Sequence, residues 1–402
     1  MINRLLLLAL AAVSSIHAAD WPQRRGPDHN GISTETTWKA AFPADGPKQL
    51  WRANVGIGFS GVVIANGRAF TMGSAAGDKD QVVALDAATG KELWRFAFDE
   101  PLNPKMYEGG PNSTPTVDGD TVFVASKTGK VHALDVATGK ARWSLDLQTV
   151  AGKTKSDWGV SGSPLVVAEK LVINFGSGPT VLDKASGKKL WSAGGGENNS
   201  FNTPVVSKVG GADVVLAHQK KELIGFRLSD GKKLFGHAFG KGYETHCSDP
   251  VLTPAGLFIS SGDDGGELLD LATGKPKRVW KNMNLSTFTC TSVVLGDFLF
   301  GHDAAGYKRP NQEFRCVDLK TGAIKWGITG FGQGSVIAAG DRLVVLSDNG
   351  ELAIFKATPD KAEILSRTQA IGGKTWTQPA LANGRLFVRN AKGDVVCLDL
   401  NG

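Results

Sequence analysis

The chain has 402 residues and a formal net charge of +6, from 45 Lys and Arg against 39 Asp and Glu. Its 51 glycines and its low share of charged residues, 21%, are typical of a protein with many tight turns. The basic residues are scattered without an interleaved aromatic stripe, which favours a solvated surface over a nucleic-acid groove.

The first 19 residues have the pattern of a secretory signal. Asn3 and Arg4 precede an apolar run from Leu5 to Val13, and small residues end the segment at Ala19. This run is too short to span a bilayer, and we expect no transmembrane segment elsewhere. The sequence therefore predicts a signal peptide over residues 1–19 and a periplasmic or secreted protein.

Residues 20–47 are expected to form an N-terminal extension, and residues 48–402 a domain of internal repeats. The repeated element is Ala-x-Asp-x-x-Thr-Gly-x-x-x-Trp, clearest at Ala84–Trp94 and Ala133–Trp143. Its glycine recurs at steps of 49, 48, 44, 43 and 48 residues, at Gly90, Gly139, Gly187, Gly231, Gly274 and Gly322. Because each unit has the alternation and turn residues of β-strands, this period predicts four-stranded propeller blades.

The repeated element has a local physical explanation. The Asp side chain can bond the backbone ahead of it, and the Gly tolerates the left-handed conformation of the turn. The Trp lies on the outer strand, where we expect it to bury a large surface against the neighbouring blade. These structural tryptophans are Trp51, Trp94, Trp143, Trp191, Trp280 and Trp326.

Small residues recur where the first strand of each unit begins. Bulky side chains would collide there if all first strands converged on one axis. The aligned positions are Ser60, Ser113, Gly162, Asn202, Ser248, Cys290, Gly334 and Thr377. A ring of eight positions predicts eight blades.

The last unit is one strand short. It ends after three strands at Leu398-Asp399-Leu400, whereas the segment Lys48–Arg52 resembles Lys91–Arg95, an outer strand. We therefore predict an all-β, eight-bladed propeller of four-stranded blades whose last blade is completed by the N-terminal strand. Such closure leaves no open seam in the ring.

The four cysteines do not form a framework of the kind seen in small secreted proteins. Cys316 and Cys397 take the inward position of Ala84 in the repeat, and we expect buried thiols there. Cys247 and Cys290 fall on first strands of adjacent blades. The sequence does not decide whether these two cysteines form a disulfide, although unpaired thiols are favoured.

The repeat resembles the tryptophan-docking motif of the pyrroloquinoline-quinone (PQQ) propellers from about Trp38 to the end of the chain. That superfamily includes quinoprotein alcohol dehydrogenases and BamB, a non-catalytic subunit of the outer-membrane β-barrel assembly machine. The segment Trp21–Pro27 resembles the start of exported PQQ-like repeat proteins of planctomycetes and related bacteria. The resemblance implies the fold more strongly than a function, since catalytic and binding members share the motif.

Two functions follow from this resemblance. PQQ-binding members share a pair of adjacent cysteines and a calcium site, whereas this chain has neither adjacent cysteines nor the haem-attachment pattern Cys-x-x-Cys-His. We therefore expect a monomeric, non-catalytic scaffold or binding module without a cofactor, acting in outer-membrane or periplasmic protein assembly. The alternative is a PQQ-dependent dehydrogenase of alcohols or sugars. Its calcium ligands would come from Glu108, Asp157, Glu197, Asn198 and Glu244.

The connections from each outer strand to the next first strand emerge on one face. They carry aromatic residues beside carboxylates and amides, as a ligand-binding mouth at a propeller axis would. The candidate mouth comprises Tyr107, Glu108, Asp157, Trp158, Asn198, Tyr243, Glu244, His246 and Trp376. We expect it to engage a protein or glycan partner, the alternative being that Trp158 and Trp376 only plug the channel. His246 and Cys247 are too few ligands for a zinc site, and no catalytic residue is assigned.

Overall fold

The structure is a computed structural model that describes residues 19–43, 45–76, 78–105, 107–156, 158–197, 201–219, 221–240, 247–304 and 312–402. The predicted signal peptide, apart from Ala19, lies outside the described residues. The described part of the chain is almost entirely strand, and its one helix, Leu147–Val150, is a single turn. No helix in these ranges is therefore long enough to cross a membrane.

The described strands build nine sheets. Eight of them are blades with four antiparallel strands each, ordered from the inside to the outside, and the ninth pairs Thr154–Lys155 in parallel with Gly196–Glu197. From the inner to the outer strand, blade 1 comprises Val63–Ala65, Arg68–Ala75, Lys79–Asp86 and Glu92–Asp99, and blade 2 comprises Thr116–Asp118, Thr121–Ala125, Lys130–Asp135 and Ala141–Asp146. Blade 3 comprises Leu165–Val167, Lys170–Phe175, Gly178–Asp183 and Lys189–Ser192, and blade 4 comprises Val205–Val209, Ala212–Gln219, Glu222–Arg227 and Lys233–Ala238. Blade 5 comprises Val251–Thr253, Gly256–Ser261, Gly265–Asp270 and Lys277–Asn282, and blade 6 comprises Val293–Leu295, Phe298–Asp303, Glu313–Asp318 and Ile324–Thr329. Blade 7 comprises Ser335–Ala339, Arg342–Leu346, Glu351–Lys356 and Glu363–Gln369, and blade 8 comprises Ala380–Ala382, Arg385–Arg389, Asp394–Asp399 and Gln49–Asn54.

The prediction of an eight-bladed propeller closed by the N-terminal strand is confirmed. Gln49–Asn54 pairs antiparallel with Asp394–Asp399, with Trp51 opposite Cys397. The first strand of the repeat domain thus forms the outer strand of the last blade, and the ring is joined by hydrogen bonds between the two ends of the chain.

Each outer-strand tryptophan binds the next blade around the ring. The indole N–H of Trp94 in blade 1 donates to Val136 O in blade 2 at 2.9 Å, and its ring packs against Gly139. The same bond is made by the other five, in the pairs Trp51 and Ala87, Trp143 and Lys184, Trp191 and Leu228, Trp280 and Leu319, Trp326 and Thr358. The predicted tryptophan contacts are confirmed, and Trp51 makes the contact that spans the closure of the ring.

The turn that receives each tryptophan has the predicted chemistry. In blade 2 the carboxylate of Asp135 accepts from the backbone of Ala137 and Thr138, at 3.1 and 2.9 Å. Gly139 has φ of +70°, and a Cβ at this position would lie 2.6 Å from the indole of Trp94. Glycine is therefore required here both by the backbone conformation and by the close approach of the ring.

The second and third strands of the blades supply most of the core, which runs around the ring between neighbouring sheets. Cys316 and Cys397 are fully buried in it as predicted, and burial raises the pKa of each thiol to about 12. Among the described residues, which include all four cysteines, no disulfide is formed.

The N-terminal extension packs into the propeller. Ile32–Ser33 adds a parallel fifth strand to the inner strand of blade 7, and Glu35 accepts from the backbone of Gly384 in a turn of blade 8. The extension contacts the inner strands of six blades or the residues just before them, in the pairs Trp21 and Ile64, Pro22 and Val117, Arg24 and Asp249, Arg25 and Ser292, Gly31 and Ala338, Ser33 and Leu381. It therefore lies across the axial channel, entering from the face that carries the turns between inner and second strands.

Candidate functional site

The mouth of the propeller is the face at which the inner strands begin. The predicted ring of small residues lies there and is crowded: a Cβ on Gly162 would lie 2.5 Å from Asn202 O, and one on Gly334 would lie 2.1 Å from Leu346 O. Ser60 and Ser113 are buried in the same ring. The close approach of Gly162 to Asn202, the ring position of the next blade, agrees with the expected convergence of inner strands, whereas Gly334 is crowded by the second strand of its own blade.

A belt of hydrogen bonds joins the residues that directly follow this ring. Each backbone N–H donates to a side-chain oxygen at the same position in the next blade, at 2.7 to 3.0 Å. The belt runs through Gly61, Thr114, Ser163, Thr203, Asp249 and Thr291. Sequence analysis missed it, although a Ser, Thr or Asp recurs at this place in five of the six units.

The extension meets this belt from the opposite face. The Arg24 guanidinium donates to Asp249 Oδ2 at 2.7 Å, while Oδ1 of the same carboxylate accepts the belt hydrogen bond of Thr203 at 2.7 Å. Arg25 is fully buried beside it and donates to Ser292 O at 2.9 Å. The two arginines therefore close the channel beneath the mouth, with one charge balanced by Asp249.

Aromatic side chains from five consecutive connections line one half of the mouth. Trp376 stacks on Phe59 with ring centroids 5.5 Å apart, and Phe59 contacts Tyr107 at 5.7 Å. The Tyr107 hydroxyl donates to Trp158 O at 3.4 Å, and Trp158 packs edge-on against Phe201 at 6.1 Å. This set of five side chains, the aromatic arc, precedes the inner strands of blades 8, 1, 2, 3 and 4. The structure brings together three of the predicted residues and adds Phe59 and Phe201.

The charged residues at the Trp376 end of the arc are paired. Lys374 Nζ lies 2.9 Å from Glu108 Oε2 and 4.6 Å from the centroid of the Trp376 ring. The predicted residues Glu108 and Trp376, about 270 positions apart in the chain, are thus linked through one lysine that sequence analysis did not single out.

A cavity of about 340 Å³ opens between Tyr107 and Trp158. Its walls are the connections that follow the outer strands of blades 1 and 2, and its floor is the turn between the second and third strands of blade 2. The lining includes Pro101, Leu102, Asn103, Lys127, Thr128, Gln148, Thr154 and Ser156. Two aromatic residues of the predicted mouth therefore border one pocket.

Lys127 on the pocket floor is almost fully buried and faces Asp80 of blade 1. Its Nζ lies 3.3 and 3.5 Å from the two carboxylate oxygens, longer than a tight ion pair. Burial raises the pKa of Asp80 above its ordinary value, while Lys127 and the Ser74 hydroxyl act in the opposite direction. Glu100 holds the same turn by accepting from Thr128 N at 3.0 Å.

Five predicted mouth residues, Asp157, Asn198, Tyr243, Glu244 and His246, lie outside the described residues. Their placement in the mouth stays a prediction.

Three of the five candidate calcium ligands, Asp157, Asn198 and Glu244, lie outside the described residues, and the calcium–PQQ site of the alternative stays a prediction. No group of three or more His, Cys, Asp or Glu within the described ranges could hold a metal ion. Glu108, one of the candidate calcium ligands, is paired with Lys374 instead, and the axial floor is taken by the arginines of the extension.

The family model described as outer membrane protein assembly factor BamB matches residues 39–178 and 104–328, well over half of the chain. The chain belongs to the PQQ-like β-propeller repeat family. No curated protein sequence matches it at a significant level.

Several solved structures are similar to this chain in fold at low sequence identity. BamB from Moraxella catarrhalis is 17% identical, with a TM-score of 0.64 over 88% of this chain and 97% of that one. A quinohemoprotein alcohol dehydrogenase from Comamonas testosteroni is 13% identical, with a TM-score of 0.74 over 96% and 81%. A computationally designed protein, Ika8, is 12% identical, with a TM-score of 0.59 over 88% and 100%. These likenesses show the fold alone.

Proposed function

We propose that this PQQ-like propeller is an exported, non-catalytic binding module whose mouth engages a protein or glycan partner. The observation that carries the proposal is the aromatic arc, in which Trp376, Phe59, Tyr107 and Trp158 remain partly exposed around the axis. Large, rigid aromatic side chains at a concave mouth supply binding energy at a low entropic cost.

The charged groups near the arc support binding rather than acid–base catalysis. Within the described residues, Glu108 is held by Lys374, Asp80 by Lys127 and Asp249 by Arg24. The buried histidines His132 and His302 lie within blades, and burial lowers the pKa of each to about 4. A general base needs to reach a substrate, which these two buried histidines do not.

The partner class follows from the family. The matching model is described as an outer membrane protein assembly factor, and we propose a role for this chain in outer-membrane or periplasmic protein assembly. The basic start and apolar run of residues 1–19 support export. Fractionation of the native cells should then place the mature chain outside the cytoplasm.

Site-specific cross-linking tests the mouth directly. A photoreactive amino acid at Trp376 should give discrete cross-linked products in native cells, identified by mass spectrometry as envelope proteins or glycan-bearing species. The same probe at Lys140, in an exposed turn of the opposite face, is the control and should give none of them. Identical products from both positions, or products from Lys140 alone, would place the partner elsewhere.

Reconstitution with PQQ and Ca²⁺ tests the dehydrogenase alternative. Because the chain has neither adjacent cysteines nor the pattern Cys-x-x-Cys-His, we expect no dye-linked oxidation of alcohols or sugars. Stoichiometric PQQ uptake with turnover would overturn the proposed non-catalytic function.

A further inference from the structure

The pocket between Tyr107 and Trp158 lies to one side of the axis and is enclosed by two connections and one turn. Its volume of about 340 Å³ is at the lower end of the range of about 300–1,000 Å³ for small-molecule sites. It can therefore hold a small ring compound or one unit of a longer chain.

The backbone around the pocket is already hydrogen-bonded. The Gln148 side chain accepts from Thr154 N at 2.7 Å and donates to Thr128 O at 3.0 Å, and Val160 N donates to Lys127 O at 2.7 Å. An extended peptide binds largely through free backbone groups of its receptor. These walls offer it few, so recognition has to come from side chains.

The lining combines the aromatic rings of Tyr107 and Trp158 with polar side chains that carry hydroxyl, amide or amine groups. Lys127 Nζ makes only long contacts to Asp80, so it retains N–H donors for a ligand oxygen. The buried charges of Lys127 and Asp80 balance, and a ligand therefore needs no net charge to bind.

We propose that this pocket binds a pyranose ring of an oligosaccharide, packed against Tyr107 and Trp158 and hydrogen-bonded through a ring oxygen or hydroxyl to Lys127. A pyranose presents apolar C–H groups on its faces, which pack on the electron-rich faces of aromatic rings, and hydroxyls around its edge. The proposal rests on the proposed function, because it names the partner chemistry of one part of the same mouth.

Binding of defined tetrasaccharides to the mature chain tests this assignment. The probes are β-1,4-linked glucose and N-acetylglucosamine tetrasaccharides and an α-1,4-linked galacturonate tetrasaccharide, titrated by calorimetry and by tryptophan fluorescence. At least one should bind and change the tryptophan emission. The galacturonate probe distinguishes recognition of a neutral ring from recognition through a carboxylate. Only binding through the carboxylate weakens steeply as the salt concentration is raised.

Two pocket variants and one control locate the site. Trp158→Ala should weaken binding at least tenfold. The double variant Lys127→Met with Asp80→Asn, which removes both buried charges together, should weaken it about fivefold with an unchanged circular dichroism spectrum. Phe288→Ala, before the inner strand of blade 6 on the far side of the axis, should bind within twofold of the parent chain.

Two results would overturn the proposal: no binding of any tetrasaccharide at millimolar concentration, or equal losses in Trp158→Ala and Phe288→Ala. Envelope proteins cross-linked at Trp376 in the absence of saccharide binding would sink only this inference. If neither saccharide binding nor envelope products cross-linked at Trp376 are observed, the proposed function is overturned as well.

Discussion

At the scale of single residues, each docking tryptophan joins two neighbouring blades. Replacing Trp94 by Ala removes the hydrogen bond to Val136 and leaves a cavity over Gly139. We expect a loss of about 3–5 kcal/mol in the free energy of unfolding, measured by urea denaturation.

The neighbouring Leu93 is the matched control for Trp94. It lies on the same outer strand but is 44% exposed, and Leu93→Ala should change stability by no more than about 0.5 kcal/mol. Similar losses for both variants would mean that the outer strand, and not the docked ring, provides the stability.

Two buried histidines predict how stability depends on pH. His132 packs between Phe96 and Phe98, and His302 is fully buried against Phe314. Burial lowers the pKa of each to about 4, from 6.5 in the unfolded chain. Between these values the unfolded chain binds more protons, so the stabilisation is complete above pH 6.5 and is lost as pH falls towards 4.

Urea midpoints at pH 7.5, 5.5 and 4.5 measure this effect. The urea concentration at the unfolding midpoint should decrease as the pH is lowered. In His132→Gln the decrease between pH 7.5 and 5.5 should be smaller than in the parent chain. An unchanged pH dependence in the variant would show that His132 does not contribute to it.

At the scale of turns and strands, two glycines separate backbone strain from packing. Gly139 and Gly119 both have positive φ, +70° and +57°, but a Cβ meets the Trp94 ring only at Gly139 and meets nothing within 4 Å at Gly119. Gly119→Ala should cost about 1–2 kcal/mol, the price of the left-handed conformation alone.

Gly139→Ala should cost more than Gly119→Ala, because the ring of Trp94 must also move. Thermal unfolding of the two variants, measured side by side, gives the difference. Equal melting temperatures would mean that the indole is not held tightly against the turn.

The blades were predictable from sequence because each is specified locally. The Asp, Gly and Trp of the repeat act within one turn and one adjacent blade, so their spacing alone shows the period. The end-to-end pairing was also predictable, since Leu50-Trp51 matches Leu93-Trp94.

The pocket and the extension were not predictable in the same way. Lys127 meets Tyr107 and Trp158 only because two connections about 50 residues apart come together across one turn. The path of the extension depends on single contacts, such as that of Arg24 with Asp249, which follow no period. Phe59 and Phe201 carried a signal that was missed: each directly precedes the small ring residue of its unit, Ser60 or Asn202, as the predicted Trp376 precedes Thr377.

At the scale of the whole molecule, closure of the ring depends on one strand. Deleting residues 48–54 removes the outer strand of blade 8 and exposes the edge of Asp394–Asp399 together with the site of Trp51 over Gly90. An unpaired edge of this kind favours association with other chains. We expect a much lower melting temperature and aggregation, seen by light scattering.

Adding a synthetic peptide of residues 48–54 is the complementary experiment. It should raise the melting temperature of the truncated chain in proportion to its concentration, as a ligand of the native state does. A truncated chain that stays monomeric with an unchanged melting temperature would show that the closure contributes little.

The pairing of Gln49–Asn54 with Asp394–Asp399 also sets an order in time. A ribosome makes the outer strand of blade 8 before any other strand of the ring and the strand it pairs with last of all. Gln49–Asn54 therefore has no partner strand until about 340 further residues have been synthesised. A chain that stops before Asp394 has seven complete blades and lacks the strand with which Gln49–Asn54 pairs, so the final few residues decide whether the eighth blade is completed.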